Sequence, residues 1–199
     1  FKVTVLQGGY KAFRGWVRST LATPRKILTL GGMTGTGKTI LLHELASRGE
    51  QVLDLEALAN HRGSSYGALG LPAQPSDEQF QNLIAMQWAK FDCDRIVWIE
   101  AESRRVGLCR VPDEIFMPMM NAPVLQVQRS RQDRIAILLE VYGSADPEEL
   151  IAATTRITRK LGGQNANQAI ESIRQGNLAA AIEIVLNYYD KTYLYDLKC

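Results

Sequence analysis

Residues 1–43 contain no aspartate or glutamate, yet they carry Lys2, Lys11, Arg14, Arg18, Arg25, Lys26 and Lys38. Over all 199 residues, 23 basic side chains meet 21 acidic ones, so the net charge is only +2 and the remainder of the chain is acidic. That balance does not by itself announce a nucleic-acid partner. A positively charged end facing a polyanion and a solvated face plus one phosphate-loop lysine both accommodate it. Cysteine is scarce: Cys93, Cys109 and Cys199 form an odd count with no C-x-x-C spacing. A disulfide framework or zinc site is thereby disfavoured, a reducing compartment favoured, and each thiol reads as an apolar filler or a chain-end bystander. No apolar run reaches the ~18 residues of a membrane helix, and no basic n-region precedes an apolar stretch. A soluble, cytoplasmic protein with no membrane partner is expected. Repeats and low-complexity tracts are absent too. With 46% hydrophobic and 22% charged residues, the composition excludes a disordered tail, a collagen-like repeat or a coiled coil. The length suits one domain or two small ones. The first residue is Phe, which suggests a processed product or a piece of something longer.

What is present reads as alternating short strands and helices. Lys2–Leu6 alternates like a strand, and Tyr10–Leu21 is a basic amphipathic segment with Phe13, Trp16 and Val17 on its apolar side; Pro24 closes it. Ile27–Leu30 reads as a buried strand, followed by a helix over Lys38–Arg48 that Gly49 ends. Gln51–Leu55, Arg95–Glu100 and Val124–Val127 complete the expected strands. Ser76-Asp77-Glu78-Gln79 forms a capping box ahead of Phe80, Leu83, Ile84, Trp88 and Phe91. Further helices are expected over Gln132–Tyr142, Pro147–Leu161 (capped by Asp146), about Asn165–Gln175 and Leu178–Tyr189. The implied fold is α/β: a parallel, P-loop NTPase-like sheet with flanking helices and a helical C-terminal region.

The strongest chemical signal is Gly32-Met33-Thr34-Gly35-Thr36-Gly37-Lys38-Thr39, a full G-x-x-x-x-G-K-[ST] between a strand and a helix. The glycines let the backbone wrap a phosphate with its N–H groups pointing inward, and the helix adds its positive end. Lys38 supplies a mobile charge, and the Thr39 hydroxyl is suited to Mg²⁺. Gly32, Thr34, Gly35, Thr36, Gly37, Lys38 and Thr39 are therefore the expected phosphate-binding set.

Other groups are less determined. Asp54 and Glu56 are spaced to point the same way from the second strand, as acids that hold a metal or substrate hydroxyl in small P-loop kinases do. Glu100 and Glu102 end the third strand, placed either to reach a metal or its waters or to pair with Arg104 and Arg105. Arg129, Arg131 and Arg134 follow the fourth strand, as a phosphate lid or a solvated helix start. Asn60-His61-Arg62-Gly63-Ser64-Ser65-Tyr66-Gly67 is rich in side-chain donors and lies where open α/β sheets bind ligands, so a substrate loop is favoured. His43 reads as a surface or core-edge residue.

Taken together, these motifs resemble one family. Gly31–Thr39, Val52-Leu53-Asp54-Leu55-Glu56-Ala57-Leu58-Ala59-Asn60-His61-Arg62-Gly63-Ser64-Ser65, Gln74-Pro75-Ser76, Ile99–Arg104 with Val106-Gly107, and Tyr188-Tyr189-Asp190 look like the P-loop half of bacterial tRNA 2-selenouridine synthases. The resemblance runs from about residue 24 to the end. Val5–Arg14 looks like the last strand and helix of the rhodanese domain that precedes that half in the family. Residues 1–23 would then be a rhodanese remnant and 24–199 the P-loop domain. Most of the rhodanese half, with the cysteine its selenium chemistry needs, has no counterpart here.

The resemblance implies S-geranylation of a wobble 2-thiouridine in tRNA by geranyl diphosphate, then replacement of the S-geranyl group by selenium from selenophosphate. It implies a rhodanese domain of the same polypeptide, and a selenophosphate-supplying enzyme, as partners. Diphosphate displacement would fall to this half, with loop N–H groups, Lys38 and either Arg104 or the lid arginines stabilising the leaving group. Asp54, Glu56 and Glu100 are further catalytic candidates. Asn60, His61, Arg62, Gly63, Ser64, Ser65, Arg129 and Arg131 are the substrate-binding candidates. Two other readings stand beside it: a small P-loop kinase or NTPase using ATP or GTP, and a nucleotide- or RNA-binding module without chemistry.

Overall fold

In the computed structural model, residues 3–196 are described; Lys2 and Cys199 lie outside them. The chain opens with helix α1 (Gly9–Leu21), strand β1 (Lys26–Gly31), α2 (Lys38–Ser47), β2 (Gln51–Leu53), α3 (Leu55–Ala59) and α4 (Asp77–Trp88). Strand β3 (Ile96–Glu100) follows, then a small hairpin of β4 (Arg105–Val106) and β5 (Cys109–Arg110). Next come α5 (Asp113–Asn121), β6 (Val124–Gln126) and α6 (Arg131–Tyr142). The chain ends in α7 (Pro147–Arg156), α8 (Thr158–Leu161), α9 (Gly163–Arg174) and α10 (Leu178–Asp196).

The main sheet has the order β2-β3-β1-β6, every pair parallel. Parallel pairing demands crossovers and buries both faces. Accordingly Leu30, Val52, Leu53, Val97 and Ile99 are buried. One core sits between the sheet, α1, α3, α4 and α5, around Val17, Phe80, Ile84 and Trp88. A second core joins α6 to the four C-terminal helices through Leu138, Tyr142, Leu150, Leu161, Ile173 and Leu186. In register, Leu30 of β1 lies beside Glu100 of β3, so the acid at the end of β3 comes to the start of the glycine loop.

Several sequence expectations need correcting. Val3 and Val5 alternate but are exposed and pair with nothing in the sheet; alternation without a ladder partner does not make a strand. The second strand stops at Leu53, because the Asp54 carboxylate accepts a hydrogen bond from Ala57 N (2.8 Å) and caps α3 instead. The expected helix over Pro147–Leu161 breaks at Ile157. Thr154 and Thr155 there bond back to Leu150 O and Ile151 O, which weakens and bends the last turn of α7. The final helix runs past Tyr189 to Asp196. Helix α5 and the β4–β5 hairpin were not legible, since Pro118 inside α5 and two-residue strands leave no periodic signal. Trp16, expected on the apolar side of α1, is 41% exposed and stacks on Phe13, while Val17 and Leu21 face the core. The Ser76 and Asp146 caps form as expected, accepting from Gln79 N and Glu148 N.

Candidate phosphate and carboxylate site

The glycine loop leaves β1 and turns into α2. Gly35 and Gly37 have φ of 81° and 80°, and Gly32 has φ of 153°, a backbone that L side chains rarely adopt. A Cβ on Gly35 would stand 2.9 Å from the Arg134 carbonyl and one on Gly32 2.9 Å from the Val127 carbonyl. Lys38 Nζ donates to Gly32 O at 3.0 Å, folding its ammonium back over the loop. Thr36 Oγ1 donates to Met33 O (2.8 Å), and Arg129 Nε donates to Thr36 O (2.9 Å). These contacts hold the loop's outer carbonyls and leave its inner face to the cleft.

Three carboxylates meet at that inner face. Thr39 Oγ1 lies 2.7 Å from Glu100 Oε1 and 3.3 Å from Glu56 Oε2. One oxygen from each of Glu56, Glu100 and Glu102 lies within 4.8 Å of the others. Burial is the main cause of a raised pKa for all three; repulsion from Glu100 adds to it for Glu56 and Glu102, whereas hydrogen bonds from Thr39 and Glu56 hold Glu100 down. Glu56 is pushed up to about 9 and Glu102 to about 7, and Glu100 is raised, with Lys38 partly offsetting each shift. Near neutral pH the cluster therefore retains protons. Its donors, with the Thr39 hydroxyl, are all oxygens, the set a hard divalent cation prefers.

Asp54 does not join this cluster. Its Oδ2 pairs with His43 Nε2 at 3.0 Å, and its Oδ1 caps α3, whereas Glu56, within α3, turns toward Thr39. The two acids expected to act together thus diverge. Arg104 is also elsewhere: it pairs with Asp113 and lies 4.7 Å over the Phe116 ring, so it neither reaches the loop nor pairs with Glu100 or Glu102. Arg131 turns to Glu183 O, Asn187 and Asp190 on α10. Arg134 is buried, and from there it donates to Thr34 O at 2.8 Å.

The loop after α3 contributes both structure and lining. Asn60 ends α3 at φ 50° and donates to Ala73 O; His61 Nδ1 accepts from Gly63 N at 3.1 Å. Burial lowers the His61 pKa, consistent with a neutral ring accepting that bond. Ser65 N donates to Tyr189 Oη (3.2 Å), and Ser65 O accepts from Arg156. Arg62, Gly63 and Ser64 face the cleft, opposite Lys38 and Thr39. The cleft measures about 280 Å³ and is closed on its third side by Ile137, Leu138, Val141 and Tyr142. An apolar cavity of about 50 Å³ opens beside it, sharing Thr34, Ser64, Leu138, Tyr142 and Tyr189. Tyr142 and Tyr189 went unmarked as cleft residues in the sequence, though Tyr189 lies within one of its motif segments.

A family model described as the tRNA 2-selenouridine synthase AAA domain matches residues 25–199. The chain belongs to the tRNA 2-selenouridine synthase family. A relative from Marinobacter nauticus carrying the name tRNA 2-selenouridine synthase is 32% identical over 97% of this chain and 60% of its own length. Relatives of the same name from Pseudomonas putida (32%, 96% of this chain and 59% of theirs) and Nitrosomonas europaea (30%, 98% and 63%) agree. The chain thus spans about three fifths of the length of these synthases. Among solved structures, AMPPCP-bound DnaA from Aquifex aeolicus is 12% identical, with a TM-score of 0.30 over 86% of this chain and 70% of its own. Within the synthase family segment, no described helix is long and apolar enough to cross a membrane.

Proposed function

We propose that this chain is the diphosphate-handling part of a tRNA-modifying transferase acting on wobble 2-thiouridine. The uridine sulfur attacks C1 of geranyl diphosphate, the C1–O bond breaks, and diphosphate leaves with the electron pair. Selenium from selenophosphate then replaces the S-geranyl group in a step that the rhodanese part of the family's longer polypeptide serves. Residues 1–23 are, in this reading, the tail of that part. The observation that carries the proposal is the shape of the cleft. A phosphate loop with Lys38 forms one wall and an apolar surface of Ile137, Leu138, Val141 and Tyr142 forms another, so an anionic head and a hydrocarbon chain find separate surfaces. The adjoining cavity is smaller than a ten-carbon chain, so full burial would require Leu138 or Tyr142 to shift.

Loop N–H groups and Lys38 stabilise the leaving diphosphate, an arrangement worth most where water is excluded. Mg²⁺ fits the oxygen donors of Thr39, Glu100 and Glu56 or Glu102, and would neutralise part of the diphosphate charge. The thiouridine sulfur is a good nucleophile and requires no strong general base. A second reading, a P-loop kinase or NTPase, is favoured by one specific contact: the 2.7 Å Thr39–Glu100 pair suits Mg·nucleotide equally well.

Titration calorimetry with geranyl diphosphate and, separately, Mg·ATP, on wild type and Lys38→Ala, tests the choice. Binding of geranyl diphosphate that Lys38→Ala abolishes supports the transferase. ATP binding with none for the prenyl diphosphate overturns it in favour of the kinase.

A further inference from the structure

A second groove, of about 520 Å³, lies on the outer side of the phosphate loop and meets the diphosphate cleft at Gly37 and Ile40. Its floor is apolar: Ile40, an exposed residue in the first turn of α2, with Leu41 and Val127. Two planar side chains edge it, and each is pinned by one nitrogen. Arg129 is fixed through Nε to Thr36 O at 2.9 Å, and its terminal nitrogens have no partner among the described residues. His43 is fixed through Nε2 to Asp54 Oδ2 at 3.0 Å, leaving Nδ1 without a partner among them. A carboxylate only accepts, so Nε2 carries the hydrogen of that bond and a neutral ring presents Nδ1 as an acceptor. His43 and Ile40 are three residues apart on α2 and so share a face. Glu44, also in the groove, is neutralised by Arg48 at 2.7 Å.

We propose that this groove receives an unpaired nucleobase of the RNA substrate, next to the uridine that reacts in the diphosphate cleft. An apolar floor edged by a guanidinium and an imidazole suits a base face, which stacks without regard to sequence. Arg129 donors and the unpartnered His43 Nδ1 suit a base edge. Arg129, with its terminal nitrogens unpartnered among the described residues, also supplies positive charge for a flanking phosphate. In the acid-free N-terminal segment, Arg14 is used by Gln81 and Asn82, Arg25 by Trp88 O, Lys26 by Asp94 O and Lys38 by the loop, which among the described residues leaves Lys11 and Arg18 on α1 as the rival site. The proposal rests on the transferase reading, which assigns the diphosphate to the loop whose Gly37 lines both cavities.

The test uses the 199-residue chain and an anticodon stem-loop RNA carrying 5-bromouridine at each unpaired position in turn. After irradiation, at least one position is expected to cross-link within residues 36–44 or 127–129. His43→Ala and Ile40→Ser, both at exposed positions, are expected to weaken RNA binding about fivefold or more. His43→Ala should leave geranyl diphosphate affinity unchanged. Cross-links confined to α1 or elsewhere, unaltered RNA affinity in both variants, or no RNA binding at low salt would overturn the groove assignment while leaving the diphosphate reading intact. Weakened binding of adenosine or uridine diphosphate, with RNA binding unaffected, would reassign the groove to a free nucleotide and overturn it as an RNA site. The transferase reading fails separately, if Lys38→Ala leaves geranyl diphosphate binding unaltered.

Discussion

Arg134 and Asp190 form a two-point pair between α6 and α10, with Nη1–Oδ2 at 3.1 Å and Nη2–Oδ1 at 2.5 Å. The same guanidinium donates from Nε to Thr34 O at 2.8 Å. The C-terminal helix therefore grips the phosphate loop through one buried side chain. Through the neighbouring Tyr189 it also holds the Ser65 backbone on the opposite wall of the cleft.

Arg134→Ala leaves the Thr34 carbonyl without its donor and Asp190 with only the 3.6 Å contact to Arg131, and should destabilise the chain by about 3 kcal/mol. Asp190→Asn, which keeps one acceptor, should cost less. Urea denaturation of both single variants and the double variant is expected to show coupling well above ~0.5 kcal/mol. Additive losses would mean that the two side chains act independently.

Gly35→Ala should damage the loop more than the fold. Alanine at φ 81° costs about 1–2 kcal/mol, and its Cβ would press on the Arg134 carbonyl at 2.9 Å. The expected result is a modest fall in melting temperature with a much larger loss of geranyl diphosphate affinity, read by calorimetry.

The carboxylate cluster makes stability depend on pH in a defined direction. Folded Glu56 keeps its proton up to about 9, against an ordinary value of 4.5, so between these values the folded state binds more protons than the unfolded one. Stability is then lost as pH rises through that window. Glu102, raised to about 7, acts with the same sign. Melting temperature measured in chelator should fall from about pH 6 to about pH 8.5, and Glu56→Gln should flatten the slope. An equal slope in that variant would place the titration elsewhere.

Thr39→Val removes the hydroxyl shared with Glu100 while keeping the shape of α2. If Mg²⁺ assists diphosphate binding there, the gain in affinity on adding Mg²⁺ should vanish in Thr39→Val and Glu100→Gln. The metal-free affinity should change far less. Undiminished Mg²⁺ enhancement in both variants would move the cation to other ligands.

The phosphate loop, the Ser76 and Asp146 caps and the strands β1, β3 and β6 were legible because each depends on residues a few positions apart. A glycine needed for positive φ, or a serine three residues before a free N–H, carries its reason in the local sequence. Residues 59–65 were legible as a distinctive loop, but not in their division of labour: Asn60, His61 and Ser65 hold the loop, while Arg62, Gly63 and Ser64 face the cleft.

Sequence alone thus determined the parallel α/β architecture, the glycine-rich turn from β1 into α2 and the family. All three follow from short-range periodicity, backbone permissiveness or contiguous motifs. Tertiary structure alone decided which acids meet. The β2-β3-β1 register brings Glu56, Glu100 and Glu102 together, while the local cap at Asp54 sends that carboxylate to His43. It also decided that Arg129 and Arg134 touch the loop and Arg104 and Arg131 do not, because a side chain of that reach chooses among partners that only chain packing supplies. Arg104 found Asp113, Arg131 found α10, and Arg134 found Thr34 and Asp190.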